Sequence, residues 1–240
     1  MSDCIVIIPT YNEIENIESI LRKIFSLHKF FDVLVVDDNS PDHTAEKVRM
    51  LQEEFGGRLF LEVRHKKSGL GTAYVHGFKW GLERKYQYLF EMDADFSHNP
   101  DDLERLYKTC HFGNGDVAVG SRYVTGVNVV NWPLNRVLMS YFASVYVKFI
   151  TGMKIHDATS GFICYQREVL ETINLDKIKF IGYAFQIEMK FTTWQMGFKI
   201  IEVPIIFTDR TKGTSKMSPG IFKEAFLGVI QMKIVSFFKK

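Results

Sequence analysis

Five short apolar runs punctuate the first 120 residues, and a helical pattern separates each from the next. Residues 4–8, 33–36, 59–63, 88–92 and 117–120 have strand length and lack the polar alternation of a strand with one wet face. Between them, residues 13–26, 44–55, 71–85 and 100–111 repeat apolar positions at helical spacing. Strands apolar on both faces need cover on both faces. The alternation therefore predicts an α/β fold: a mostly parallel central sheet with helices on either side. Sheets of this kind bind ligands beyond the carboxyl ends of their strands, so the residues just after each strand are where chemistry is expected.

The rest of the chain extends that pattern. Its 240 residues suffice for one large domain, and no repeat, low-complexity tract or Pro/Gly/Ser linker divides them. Residues 134–151 form a long helical pattern with aromatic side chains on several sides. Residues 161–166 and 202–207 look like strands, with a helix over 185–196. Ser218 is placed as an N-cap and Pro219 at the first helical position of a last helix that runs to Phe238. We expect residues 1–217 to be the main domain and 218–240 an amphipathic C-terminal helix, membrane-associated or packed on that domain.

Composition excludes several classes. A net charge of +2 offers no basic stripe for nucleic acid. Cys4, Cys110 and Cys164 are odd in number and lack metal-ligand spacing, which predicts buried free thiols. The N-terminus runs straight into a strand, so no signal peptide is expected. No uncharged apolar run approaches the ~20 residues of a spanning helix; the longest, 137–147, is closed by Arg136 and Lys148. The chain is expected to sit on a membrane without crossing it.

The strand ends are unusually polar. After the first come Pro9, Thr10, Tyr11, Asn12 and Glu13; after the second, Asp37, Asp38, Asn39 and Ser40. After the fourth come Asp93, Ala94 and Asp95, and after the fifth Ser121, Arg122 and Tyr123. Residues two apart in an extended chain point the same way, so Asp93 and Asp95 converge. Two like charges together need neutralising, and a divalent cation shared with substrate phosphates does that. The same pair is also suited to capping the helix that begins near Pro100. Asp37 and Asp38 face opposite ways, which lets one meet a ligand while the other braces a turn. His65, His76 and His98 share no spacing for a joint metal site and are expected to be structural. No Gly-x-Gly-x-x-Gly follows the first strand, which excludes a dinucleotide-dependent oxidoreductase.

Four motifs now agree. Ile8-Pro9-Thr10-Tyr11-Asn12-Glu13, Val36-Asp37-Asp38-Asn39-Ser40-Pro41-Asp42, Met92-Asp93-Ala94-Asp95-Phe96-Ser97-His98 and Gly120-Ser121-Arg122-Tyr123-Val124 resemble those of family 2 glycosyltransferases with the GT-A fold. The chain is most similar to the dolichol-phosphate or polyprenol-phosphate mannose synthase branch. That resemblance continues through Asp157-Ala158-Thr159-Ser160-Gly161-Phe162, Gly182-Tyr183-Ala184-Phe185-Gln186, Glu202-Val203-Pro204, Asp209-Arg210 and Gly213-Thr214-Ser215-Lys216. It implies that Pro9, Tyr11, Glu13, Val36 and Asp38 hold the donor nucleoside. It implies that Asp93 and Asp95 carry Mg²⁺ or Mn²⁺ with the diphosphate, that Ala94 lines the sugar site, and that Ser97 lies nearby. Arg122, Arg210 and Lys216 would meet phosphates or sugar. Gly69-Leu70-Gly71 fits the family as a tight approach beneath the donor.

The implied reaction moves mannose from GDP-mannose to a polyprenyl phosphate. Both substrates are anions, so cations are needed on the acceptor side as well. Arg122 follows a strand on the active edge; Arg136 begins the long helix, with Ser140 one turn along on the same face. A guanidinium fork grips phosphate oxygens, and we assign Arg122, Arg136 and Ser140 to the acceptor phosphate. With Asp95 they form the expected catalytic set. An ionised acceptor needs no strong base, so alignment and charge neutralisation with in-line inversion are expected. Asp157 is suited equally to the substrates and to bracing a loop. Gln186 and Glu188 are suited equally to the site and to a helix surface. Aromatic residues of 134–151, with Phe222, Phe226, Phe237 and the lysines of the last helix, are candidates for a lipid-facing surface on the cytoplasmic side. Family members either carry spanning helices after the catalytic domain or recruit small membrane subunits. The rival readings are a same-fold enzyme with a UDP-sugar donor (glucose, GlcNAc or an aminosugar) and a nucleotide-binding scaffold without turnover. A Gln-x-x-Arg-Trp motif, usual in polymerising members, is absent.

Overall fold

The computed structural model describes residues 2–210, 212 and 220–237. Lys216, the 213–215 stretch, Ser218, Pro219, Phe238, Lys239 and Lys240 lie outside the described residues.

The expected strands form. β1 (Cys4–Thr10), β2 (Asp32–Asp37), β3 (Leu59–Val63), β4 (Tyr88–Glu91), β5 (Val117–Ser121), β7 (Ile163–Gln166) and β8 (Ile200–Pro204) make one sheet ordered β3-β2-β1-β4-β7-β5-β8. Every pairing is parallel except those of β7, which runs against β4 and β5. The reversal has a local cause. The chain returning to the sheet is already at the carboxyl end of β5, where Gly120 N–H donates to Phe162 O at 2.8 Å and Ser160 Oγ to Gly120 O at 2.5 Å. From there it can only run back. A second, two-stranded sheet joins β6 (Val129–Val130) to β9 (Phe207–Thr208).

Alternation along the strands sorts the core. Val6, Val33 and Phe90 pack with Ile20, Val48 and Leu106 of α1 (Ile17–Phe25), α2 (Thr44–Phe55) and α4 (Leu103–His111). Ile5, Ile7 and Leu34 point the other way, onto Phe78, Leu170 and Phe185 of α3 (Leu70–Glu83), α6 (Arg167–Thr172) and α7 (Tyr183–Gln195). Each such side chain, fully buried, contributes about 1.5–3 kcal/mol. Gly77 lets α3 lie close: a Cβ there would sit 2.5 Å from the Ile7 side chain. The three cysteines are buried and free.

Some boundaries differ from expectation. Residues 13–16 form a turn ahead of α1, with Asn16 and Ile17 N–H both donating to Glu13 O. Pro100–Asp102 is a single 3-10 turn before α4. The run 202–207 is split: β8 ends at Pro204 beside Ser121, and the chain then crosses to pair Phe207 with Val129. The short α6 carried no recognisable signal.

A third cluster joins α5 (Leu134–Thr151), α7 and α8 (Gly220–Phe237) through Val147, Phe191, Val229 and Met232. The last helix is not cleanly amphipathic. Val229 and Met232 are buried, while Phe226, Leu227, Ile234 and Phe237 are exposed. A helix apolar on most sides covers the domain with one face and leaves another bare.

Candidate active site

A cavity of about 500 Å³ opens at the carboxyl ends of β1, β2, β4 and β5. It gathers Pro9, Tyr11, Glu13, Asp38, Asp93, Ala94, Asp95, Ser97, Arg122, Arg136, Ser140 and Arg210 on one wall or another. Val36 is not among its lining. It is fully buried in β2 and packs in the core with Leu34 and Ile7, because its side chain projects from the sheet face rather than from the strand end.

The first wall rests on Asp37. Its carboxylate accepts from Thr10 Oγ1 at 2.7 Å, Ser40 Oγ at 2.6 Å and Ser40 N–H at 2.8 Å, which fixes the turn after β2. Asp38 faces the cavity and is held by Arg64, whose Nε donates at 2.5 Å while Nη1 donates to Thr72 Oγ1 at 2.7 Å. Lys67 Nζ lies 4.4 Å from the centre of the Tyr11 ring. Neither Arg64 nor Lys67 was identified from sequence. The basic run 64–67 after β3 was the available signal, but its partners are distant in the chain.

The second wall carries the carboxylate pair. Asp95 is nearly buried and accepts from Ser97 N–H at 3.0 Å and Arg210 Nη2 at 2.7 Å. Asp93 is 39% exposed toward the cavity. Lost hydration at the mouth of the cavity and the neighbouring Asp95 carboxylate push its pKa up to about 7, against the lowering effect of Arg210. His98 braces this loop: its Nδ1 accepts the Asp93 N–H at 3.3 Å, and its ring stacks on Phe162 at 4.9 Å. Burial lowers the His98 pKa to about 4, so the ring is neutral at pH 7.

Among the described residues no cluster of three or more His, Cys, Asp or Glu could hold a metal ion. The donor set fits a different arrangement. Two hard carboxylate oxygens suit Mg²⁺ or Mn²⁺ when substrate phosphates and water complete the shell.

The third wall is cationic. Arg122 and Asp157 form a buried pair, with Nε donating at 2.7 Å, Nη2 at 2.6 Å and the Arg122 N–H at 3.0 Å. Arg122 Nη2 also donates to Thr159 Oγ1 at 2.7 Å. Burial alone would raise the Asp157 pKa, but the Arg122 guanidinium and its hydrogen bonds hold it below the usual carboxylate range. Asp157 thus orients an arginine. Trp132, also missed from sequence, stands between the two cations: the Arg122 and Arg136 guanidinium carbons lie 5.5 and 4.1 Å from its ring centre. Arg136 Nη1 donates to Asp209 Oδ1 at 2.9 Å. Consecutive residues therefore reach opposite walls, Asp209 to Arg136 and Arg210 to Asp95.

Beneath the cavity, Gln186 lines its floor and donates to the buried Glu91, whose pKa is pushed up to about 7 by burial. Glu188 accepts from the N–H groups of Lys179 and Phe180 at 2.9 Å each, bracing a loop away from the site. His65 and His76 do not line the cavity.

The sequence and the fold are similar to those of known proteins. The sequence profile of glycosyl transferase family 2 matches residues 5–173. A polyprenol monophosphomannose synthase of Mycolicibacterium smegmatis is 45% identical over 96% of this chain and 86% of its own length. An undecaprenyl-phosphate mannosyltransferase of Micrococcus luteus is 44% identical over 94% of this chain and 91% of its own. Among solved structures, a mannosyltransferase of Pyrobaculum calidifontis in complex with GDP-Man and Mn²⁺ superposes with a TM-score of 0.60. It shares 18% identity and covers 98% of this chain and 73% of that one, a likeness of fold.

Proposed function

The chain belongs to glycosyl transferase family 2 and is a glycosyltransferase; from that premise we propose that it transfers mannose from GDP-mannose to a polyprenyl phosphate, with inversion at the anomeric carbon. The observation that carries this reading is a cavity with a carboxylate pair on one wall, Asp93 and Asp95, and two arginines, Arg122 and Arg136, on another. A site for two anionic substrates needs both. The activities for which the two relatives are named, at 44–45% identity, support mannose and a polyprenyl phosphate as the classes of donor sugar and acceptor.

In this mechanism Pro9, Tyr11, Glu13 and Asp38 hold the nucleoside, with Asp38 aimed by Arg64. Asp93 and Asp95 hold Mg²⁺ or Mn²⁺, which when bound offsets charge on the departing diphosphate. Arg210 sits on Asp95 and is within reach of the same phosphates. Ala94 and Ser97 flank the sugar. Arg122, Arg136 and Ser140 grip the acceptor phosphate, and its oxygen attacks the anomeric carbon as the diphosphate leaves. No base is required, because the acceptor is already ionised. Val36 takes no part.

We place the protein on the cytoplasmic face of a membrane as a peripheral enzyme, with α5 and α8 toward the lipid. Among the described residues no helix is long and apolar enough to cross a membrane. Phe142 and Phe149 of α5 are 60% and 83% exposed, and Phe226 and Phe237 of α8, a helix packed on α5, are exposed as well. Small membrane subunits are a further partner we propose for that surface.

The test is direct. Purified protein is incubated with Mn²⁺ or Mg²⁺, a polyprenyl phosphate and, separately, GDP-mannose, UDP-glucose and UDP-GlcNAc. Metal-dependent lipid-linked mannose from GDP-mannose, lost in Asp95→Ala, supports the reading. Product with a UDP-sugar alone replaces the donor. Retained anomeric configuration refutes the in-line step.

A further inference from the structure

Lys190 is fully buried in the middle of α7. Its ammonium donates to three main-chain carbonyls: Ser160 O at 2.6 Å, Ala158 O at 3.1 Å and Gln186 O at 3.2 Å. A buried charge bears a desolvation cost that an apolar side chain of equal length would not. Its position explains what the charge accomplishes. Residues 157–160 belong to no helix or strand, so their carbonyls have no ladder to join. Lys190 supplies the donors for two of them.

The side chains of the same loop carry the contacts to the cationic wall. Asp157 and Thr159 hold the Arg122 guanidinium, and the Lys190 charge also acts on the Asp157 carboxylate. Ser160 Oγ ties the loop to the end of β5. Glu202 holds its start, accepting from His156 N–H and Asp157 N–H at 2.8 Å each. Side chains 157 and 159 thus aim Arg122, while carbonyls 158 and 160 are pinned from below.

We propose that Lys190 is a positioning residue for transfer: by clamping the 157–160 loop it sets the direction in which Arg122 meets the acceptor phosphate. The proposal rests on the assignment of Arg122 to that phosphate. Lys190 touches no substrate. Its effect passes through Asp157 and Thr159, and misplacing a phosphate clamp by an ångström can cost on the order of a hundredfold in rate.

Lys190→Met removes the donors and keeps the length. The expected result is a kcat/KM for polyprenyl phosphate lowered roughly ten- to a hundredfold, with the KM for GDP-mannose within about twofold of wild type. In combination with Arg122→Lys, Lys190→Met should add little, because both act on one contact. Hydrogen exchange should quicken at 157–162 and 121–124 and stay unchanged at 93–98. Glu202→Gln loosens the same loop from its other end; it should shift the same quantities in a smaller degree, and it serves if Lys190→Met does not fold. Donor and acceptor KM rising together, or effects that multiply in the double variant, overturn the proposal. So does unchanged exchange at 157–162, which decides the clamp even if the wild type proves to use another acceptor. Failure of the wild type to glycosylate any lipid phosphate would instead remove the proposed acceptor.

Discussion

The carboxylate pair at the end of β4 should make metal binding depend on pH in one direction. Asp93 has its pKa pushed up to about 7 by lost hydration and by Asp95, so a proton competes for this carboxylate near neutrality. A cation binds the carboxylate and must displace that proton. Above pH 8 Asp93 is ionised and the apparent affinity should be flat. Below pH 7 binding should weaken with each further unit, approaching roughly tenfold per unit below pH 6, the cost of ionising one group against the proton concentration. A loss of about fivefold is thus expected between pH 7 and 6, and about ninefold more between pH 6 and 5. His98 does not blur this window, since its own pKa is lowered to about 4. The measurement is Mn²⁺ binding to the protein with GDP, by titration calorimetry or by the spin-resonance signal of free Mn²⁺, from pH 5 to 8.5. The nucleotide phosphate also titrates near pH 6 to 7, so GDP–Mn²⁺ association alone is subtracted. Asp93→Asn supplies the control: it removes the titrating group and should leave weak, pH-independent binding. A wild-type affinity that stays level from pH 5 to 8 refutes the reasoning.

Three other outcomes follow from contacts described above. Asp157→Asn keeps the shape but removes the carboxylate paired with the buried Arg122, and should cost about 3–5 kcal/mol in urea unfolding. Because the folded pKa of Asp157 is lowered, its contribution is fully present above the unfolded carboxylate range and is lost as pH falls through the folded value; the gap to wild type should be equal at pH 5 and pH 8. Gly71→Ala would place a Cβ 2.7 Å from the Phe185 ring and 2.8 Å from Phe180 O, so a loss of about 1–3 kcal/mol and weaker GDP binding are expected in thermal melts and titrations. Phe142→Asp with Phe149→Asp should reduce co-sedimentation with anionic vesicles severalfold, while the melting temperature stays within about 2 °C because both side chains are exposed.

Much of this was legible because strands apolar on both faces can hardly be anything but the interior of a covered sheet. The polar groups after residues 8, 36, 92 and 120 then had to meet along one edge, and most of the named side chains do line one cavity. What was hidden depends on partners far apart in sequence. Arg64 reads as one of four basic residues in a surface loop until Asp38 is placed 2.5 Å away. Lys190, one charge in a helical pattern, reads as solvated. Asp157 could be a ligand or a brace, and only its distance to Arg122 separates the two. Val36 continues an apolar run, and the pleat that turns it into the core is a matter of register. The split between β8 and β9 could not be read because Val203 to Phe207 is continuously apolar apart from Pro204.

The reversed strand β7 has a consequence for how such a protein can change over generations. Everything assigned to the nucleotide sugar up to residue 98 lies in the earlier stretch of chain, and everything assigned to the acceptor phosphate lies after residue 121. The antiparallel return brings both stretches to one edge of the sheet without interleaving them. The acceptor half can therefore drift toward new lipids or new phosphates while the donor half keeps its shape. The brake on that freedom is Arg210, a residue of the later stretch whose guanidinium rests on Asp95 of the earlier one.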